Sequence, residues 1–173
     1  MLKEGRTKEV RDRVRLFLRE HSYRKSGGVT IDISDWYYDA RFRQRLQADP
    51  SFDATRFREP YLAHLWDRAQ YYDQVSQTCL GRSVHHILLT HYTLLNALFL
   101  SDVIRTFESR GWSIVSAEEA FADPVFERKP DTIPAGESLL WRLPSQSGKF
   151  PGRLRHPGED GPYEKPVLDR LGL

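Results

Sequence analysis

Three residues have the types and positions for proton chemistry: Asp32 and Asp35, beside Trp36 in one stretch, and His91 in another. The two acids close the run Val29-Thr30-Ile31-Asp32-Ile33-Ser34-Asp35-Trp36, whose β-branched and apolar first half favours a buried strand. His91 follows a second such run, Val84-His85-His86-Ile87-Leu88-Leu89-Thr90. If the two runs are neighbours in a parallel sheet, Asp35 and His91 open onto the same rim, where α/β folds carry their chemistry. A carboxylate beside an imidazole favours the charged ring and fixes its tautomer and orientation. Such a histidine suits general acid work, handing a proton to a leaving group. The plainer alternative is a strand and an Asp-rich turn, with Ser34 or Asp35 capping the next helix and His91 bonded to backbone.

The other histidines offer less. In His85-His86-x4-His91, adjacent strand residues point to opposite faces, so at most one of the first two shares a face with His91. A separation of five or six strand residues spans roughly 17–20 Å, too far for two ligands of one zinc. His64, His21 and His156 read as structural or exposed. Trp36, Trp66, Trp112 and Trp141 could each stack on a sugar, but tryptophan usually packs in a core. Only Trp36 stands at the expected rim, with Tyr37 and Tyr38 as secondary lining candidates. The chain has no Gly-rich phosphate loop, nucleophile elbow or CxxC.

Positioning those residues needs one domain, which 173 residues provide. A hydrophobic fraction of 39% and a charged fraction of 29% fit a globular protein. The net charge is +2 and no Lys/Arg run stands apart from acids, so nothing points to nucleic acid. Cys79 cannot form an internal disulfide, being the one cysteine. The first residues carry no apolar signal core, and the longest apolar run, Ile87 to Leu100, is broken by His91 and Asn96, too short for a membrane span.

Periodicity predicts helices over 6–20 (Val10, Val14, Phe17 and Leu18 on one face), 37–49, 53–80 and 94–110. The last should turn Leu94, Leu95, Leu98, Ile104 and Phe107 inward. Lys25-Ser26-Gly27-Gly28 should end the first helix, and Gly81 the third. Trp112-Ser113-Ile114-Val115 reads as a further strand, and Ser116-Ala117-Glu118-Glu119 as the capping box of a short helix ending near Pro124. Alternating helices and strands imply a parallel α/β sheet with right-handed crossovers. Residues 1–129 form the expected domain. From Pro130 the chain turns Pro/Gly-rich, and 130–173 reads as an extended tail over that domain, with LLWRL and VLDRL as its ordered pieces.

Asp32-x-x-Asp35-Trp36 and Leu89-x-His91, in that order, resemble the fourth and fifth motifs of the NodB-homology polysaccharide deacetylases. The frames VTIDISDWYYDARF, YLAHLWDRAQYY, HHILLTHYTLLNALFLSDVIRTFESRGWSIVSAEEAFADPVF and PDTIPAGES are similar too, so the likeness covers most of the chain. These are metal-dependent hydrolases that remove N- or O-acetyl groups from polysaccharides. The resemblance implies that His91 is the general acid and Asp35 the acid that tunes it. It implies an apolar wall of Leu89 and Trp36 around the acetyl methyl group, and an acetylated polysaccharide or oligosaccharide as partner. Asp32, matching the motif's first acid, is assigned to structure.

The family's Thr-Phe-Asp-Asp and His-x-x-x-His motifs, which supply the base and the protein ligands of a divalent metal such as zinc, do not occur in this sequence. Leu2-Lys3-Glu4-Gly5 resembles the segment after the family's Arg-x-Pro motif. The expected fold is therefore α/β, the C-terminal half of a TIM-like (β/α) barrel, with no metal site of its own. A half barrel leaves a bare sheet edge and an exposed apolar face, so an N-terminal half-domain or self-association is expected to cover it. The family commonly acts in the periplasm or outside the cell. The rival expectations are a non-catalytic carbohydrate-binding or assembly module, and an inert fragment.

Overall fold

The computed structural model describes residues 4–23, 28–133, 135, 137–148, 150–151, 154–155 and 160–173. Its regular elements are helical: α1 (Lys8–Glu20), α2 (Asp35–Ala48), α3 (Arg58–Leu80), α4 (Leu94–Ser109), α5 (Ala117–Phe121), α6 (Leu139–Ser147) and α7 (Asp160–Arg170). Short 3-10 turns lie at Ala54–Phe57 and Pro124–Glu127. LLWRL opens α6 and VLDRL closes α7. The described residues belong to two compact units. One holds Met1–Asp32, Tyr72–Leu88 and Ser116–Arg155; the other holds Ile33–Tyr71, Leu89–Val115 and His156–Leu173.

The expected α/β barrel is not there. Among the described residues, the β pairing is one isolated parallel bridge, Ile31 to Leu88, in the first unit. The two strand-like runs do lie parallel, and Thr30 N and Ile31 N both donate to Ile87 O at 3.1 and 3.0 Å, but other partners take the remaining bonds that a ladder would need. The Thr30 hydroxyl accepts from Ile87 N at 2.8 Å, while Ser138 Oγ donates to Thr30 O at 2.7 Å and Leu139 N to Val29 O at 2.8 Å. His85 N donates to the Asp123 carboxylate at 3.0 Å. Once these groups are satisfied, pairing has no reason to propagate. The third expected strand is no strand either. Trp112 N closes the end of α4 on Phe107 O at 3.1 Å, and Gly111, at φ 84°, donates to Glu108 O at 3.0 Å. This is a Schellman stop with its apolar contact, the Trp112 ring standing 5.5 Å from that of Phe107. Ile114 and Val115 beyond it are exposed.

In the first unit the core gathers Ile31, Tyr72, Val75, Val84, Ala120, Val125, Leu139 and Leu140. Two arginines hold its loops. Arg82 grips Asp123 through two bonds of 2.7 and 2.8 Å, and buried Arg142 reaches Pro130 O and Thr132 Oγ1. Ser116 caps α5 by accepting from Glu119 N, as its pattern predicts. Helix α1 buries Arg11, not the expected apolar stripe; Phe17 is exposed and stacks on His21. The helix ends at Glu20, before the predicted stop, of which Lys25, Ser26 and Gly27 lie outside the described residues.

In the second unit α2 packs against α4 and α7. Tyr38, Phe42, Phe57, Tyr61, Leu65, Leu95, Phe99, Val103, Phe107, Leu168 and Leu173 form the buried core. Pro60 falls in the first turn of α3, where its missing N–H costs nothing. Helix α4 presents a different face from the predicted one. Leu95, Asn96, Phe99, Val103 and Phe107 point inward, whereas Leu94, Leu98 and Ile104 are exposed. Turning the helix this way buries an asparagine, and the candidate site depends on it.

Candidate functional site

Asp35 and His91, 56 residues apart, meet in the second unit. Asp35 is the first residue of α2 and is fully buried. His91 lies three residues before α4, with 42% of its side chain exposed. The ring Nδ1 stands 2.6 Å from Asp35 Oδ1, and the backbone N of His91 donates to Oδ2 at 2.6 Å. Opposite a carboxylate that accepts only, Nδ1 must carry the proton. The free ring position is then Nε2.

The carboxylate is held from four directions. Trp36 N donates to Oδ1 at 2.8 Å, and Asn96 Nδ2 to Oδ2 at 3.2 Å, besides the two bonds from His91. Asn96 also donates to His91 O at 2.7 Å, and accepts from the Tyr61 hydroxyl at 2.5 Å. Burial pushes the Tyr61 hydroxyl far above the ordinary tyrosine range, and the charges of Asp35 and Asp39 add to this, so Tyr61 stays a donor. One turn along α2, buried Asp39 accepts from Leu95 N at 3.1 Å. Both acids thus face the first turn of α4, the positive end of its dipole. Thr93 completes that terminus by capping Asn96 N.

Ser34 occupies the N-cap position of α2 but makes no side-chain capping bond. Its backbone N donates to His64 Nε2 at 3.0 Å, and His64 Nδ1 reaches Glu164 of α7 at 3.2 Å. His64 is therefore a buried structural histidine, as its sequence position implies, stacked 4.6 Å from Tyr38. His86 is nearly buried between Thr30 Oγ1 (3.1 Å) and Asp73 Oδ1 (3.3 Å), and burial lowers its pKa. His85 is exposed, and His21 bonds Phe17 O at the end of α1. His156 lies outside the described residues.

Trp36 is 47% exposed, its ring edge-on to Tyr37 at 5.9 Å. Leu89 is half-buried, two residues before His91. Asp32 is buried in the first unit. Beyond the expected residues, Tyr92 beside His91 is fully exposed. Two participants escaped the sequence reading, Asn96 and Tyr61. Asn96 stood out there only as a break in an apolar run, yet Asn96, Phe99 and Val103 share one helical face. An amide on an apolar stripe calls for a buried partner.

Among the described residues no group of three or more His, Cys, Asp and Glu side chains is placed to hold a metal ion. Asp35 cannot serve as a ligand as it stands, because N–H donors occupy its lone-pair positions. The groups around Asp35 and His91 therefore do not fit a divalent metal. Among the described residues no helix is long and apolar enough to cross a membrane. No family model, curated protein or solved structure matches this chain.

Proposed function

We propose that Asp35 and His91 form the proton-donating part of a hydrolytic site for acetylated saccharides, as the polysaccharide-deacetylase resemblance implies. The 2.6 Å bond from His91 Nδ1 to buried Asp35 carries the reading. It leaves Nε2 as the only ring position that can hand a proton to a leaving amine or alkoxide. Asp35 orients the ring and fixes its tautomer; it does not itself exchange the proton. Trp36, exposed beside Asp35, supplies an apolar face for a sugar or an acetyl methyl group, with Leu89 as its expected companion. The resemblance places the group that activates water in the Thr-Phe-Asp-Asp motif, which does not occur in this sequence.

A second reading, a non-catalytic carbohydrate-binding module, is favoured by one observation. Trp36 and Tyr92, the neighbours in sequence of Asp35 and His91, are both exposed aromatics, as a sugar-stacking surface requires. Titrating the chain with acetylated chito-oligosaccharide, against the fully deacetylated oligomer, separates the readings. Proton donation predicts that the acetylated ligand shifts the His91 Nε2 resonance and that His91→Ala weakens binding. Binding lost in Trp36→Ala but unchanged in His91→Ala favours the second reading. No binding of either oligomer refutes both. Acetate release by the chain with added zinc is expected to stay at background, and robust turnover would overturn the reading that this chain lacks the base and metal motifs that catalysis needs.

A further inference from the structure

We infer that Asn96, braced by Tyr61, is the positioning residue that makes the Asp35–His91 pair directional. The inference rests on the proton-donor reading of His91, but its geometry stands alone. Asn96 Nδ2 spends both hydrogens on the pair, one on Asp35 Oδ2 and one on His91 O. It therefore ties the acid to the backbone of the base. With Oδ2 held by Asn96 and His91 N, the carboxylate cannot turn, and Oδ1 is left facing Nδ1.

The amide direction is itself determined. A flipped Asn96 would aim its oxygen at a carboxylate and a carbonyl, two acceptors with no proton to share. The third contact, the Tyr61 hydroxyl, is the ambivalent one. It donates to Asn96 Oδ1 and, with its pKa raised by burial, does not ionise in the working range. Tyr61, Asn96 and Asp35 are all buried and His91 is not, so the chain of bonds runs from the core of the unit to one exposed ring. Buried polar networks of this kind gain their rigidity only when every member is satisfied. Asn96 thus sets which ring nitrogen faces outward, free to take up and hand on a proton, and it touches no substrate.

Long-range proton–nitrogen NMR of the imidazoles tests this in the free chain, with no saccharide present. The native chain should show His91 as the Nδ1–H tautomer with a protected Nδ1 proton. Asn96→Ala should speed exchange of that proton about tenfold and mix the tautomers, the loss expected for one bond to a charged group. Tyr61→Phe keeps the ring packing and should give a smaller change of the same kind, about threefold. Backbone amide exchange along α2 and α4 serves as the control. Unchanged tautomer and proton exchange in both variants overturns the inference. So does a uniform rise in amide exchange across the unit in Tyr61→Phe, which would mean packing alone. If Asn96→Ala does not fold, Tyr61→Phe decides by itself. Failure of the saccharide titration would leave these results untouched, so the two proposals fail separately.

Discussion

Asp35→Asn is the sharpest single perturbation of this protein. The substitution keeps shape and volume but replaces one acceptor oxygen with a donor amide. Three of the four groups that face Asp35 are obligate donors: His91 N, Trp36 N and Asn96 Nδ2. Only His91 Nδ1 can change role. The least costly placement sets the new oxygen toward His91 N and Asn96 Nδ2 and the new amide toward Nδ1. Nδ1 must then accept, and the ring proton moves to Nε2. Trp36 N loses its acceptor, and the remaining bonds lose their charge. At about 1–3 kcal/mol for each lost charged bond or orphaned buried donor, the net cost is about 2–4 kcal/mol. For a chain of this size that lowers the melting temperature by roughly 5–15 °C. Imidazole nitrogen shifts and a thermal melt read both effects. A variant that keeps the Nδ1–H tautomer, or melts within about a degree of the native chain, would refute the arrangement.

Three further outcomes follow from the first unit and from α4. The Asp123 carboxyl is held far below its ordinary pKa by Arg82 against the cost of burial, and by the N–H groups of Val125 and His85. Its stabilisation is present above about pH 4 and is lost as pH falls toward the folded value, so Asp123→Asn should flatten the acid limb of urea midpoints measured against pH. Burial lowers the His86 pKa, so protonation favours the unfolded chain. Stability should fall as pH drops below about 6.5, and His86→Gln should remove that part of the slope. Gly111→Ala meets no neighbouring atom within 4 Å, so its cost is that of the positive φ alone, about 1–2 kcal/mol, read as a lower melting temperature.

The helices were legible because their signals are local. Ser116 caps α5 as its pattern predicts, and Gly81 and Gly111 stop α3 and α4 where expected. The candidate pair was legible by residue type and motif order, and the structure does bring Asp35 and His91 together. The sheet was not. Val29–Ile33 and Val84–Leu89 have strand composition, but composition says nothing of what a neighbouring backbone offers. Here Thr30, Asp123 and Ser138 offer side-chain oxygens in place of a ladder.

The amino-acid order alone marked the helix ends at Gly81, Gly111 and Ser116, because caps and glycines act within a few residues. It also determined that an acid and a histidine exist to be paired. Only the tertiary structure decided which face of α4 turns inward. That choice depends on burying Leu95, Phe99, Val103 and Phe107 together where α4 packs against α2, not on any one residue. The same rotation buried Asn96 beside Tyr61 and gave Asp35 its fourth partner. What began as two carboxylates near a tryptophan is one buried acid, held by N–H donors and aimed at a single exposed ring.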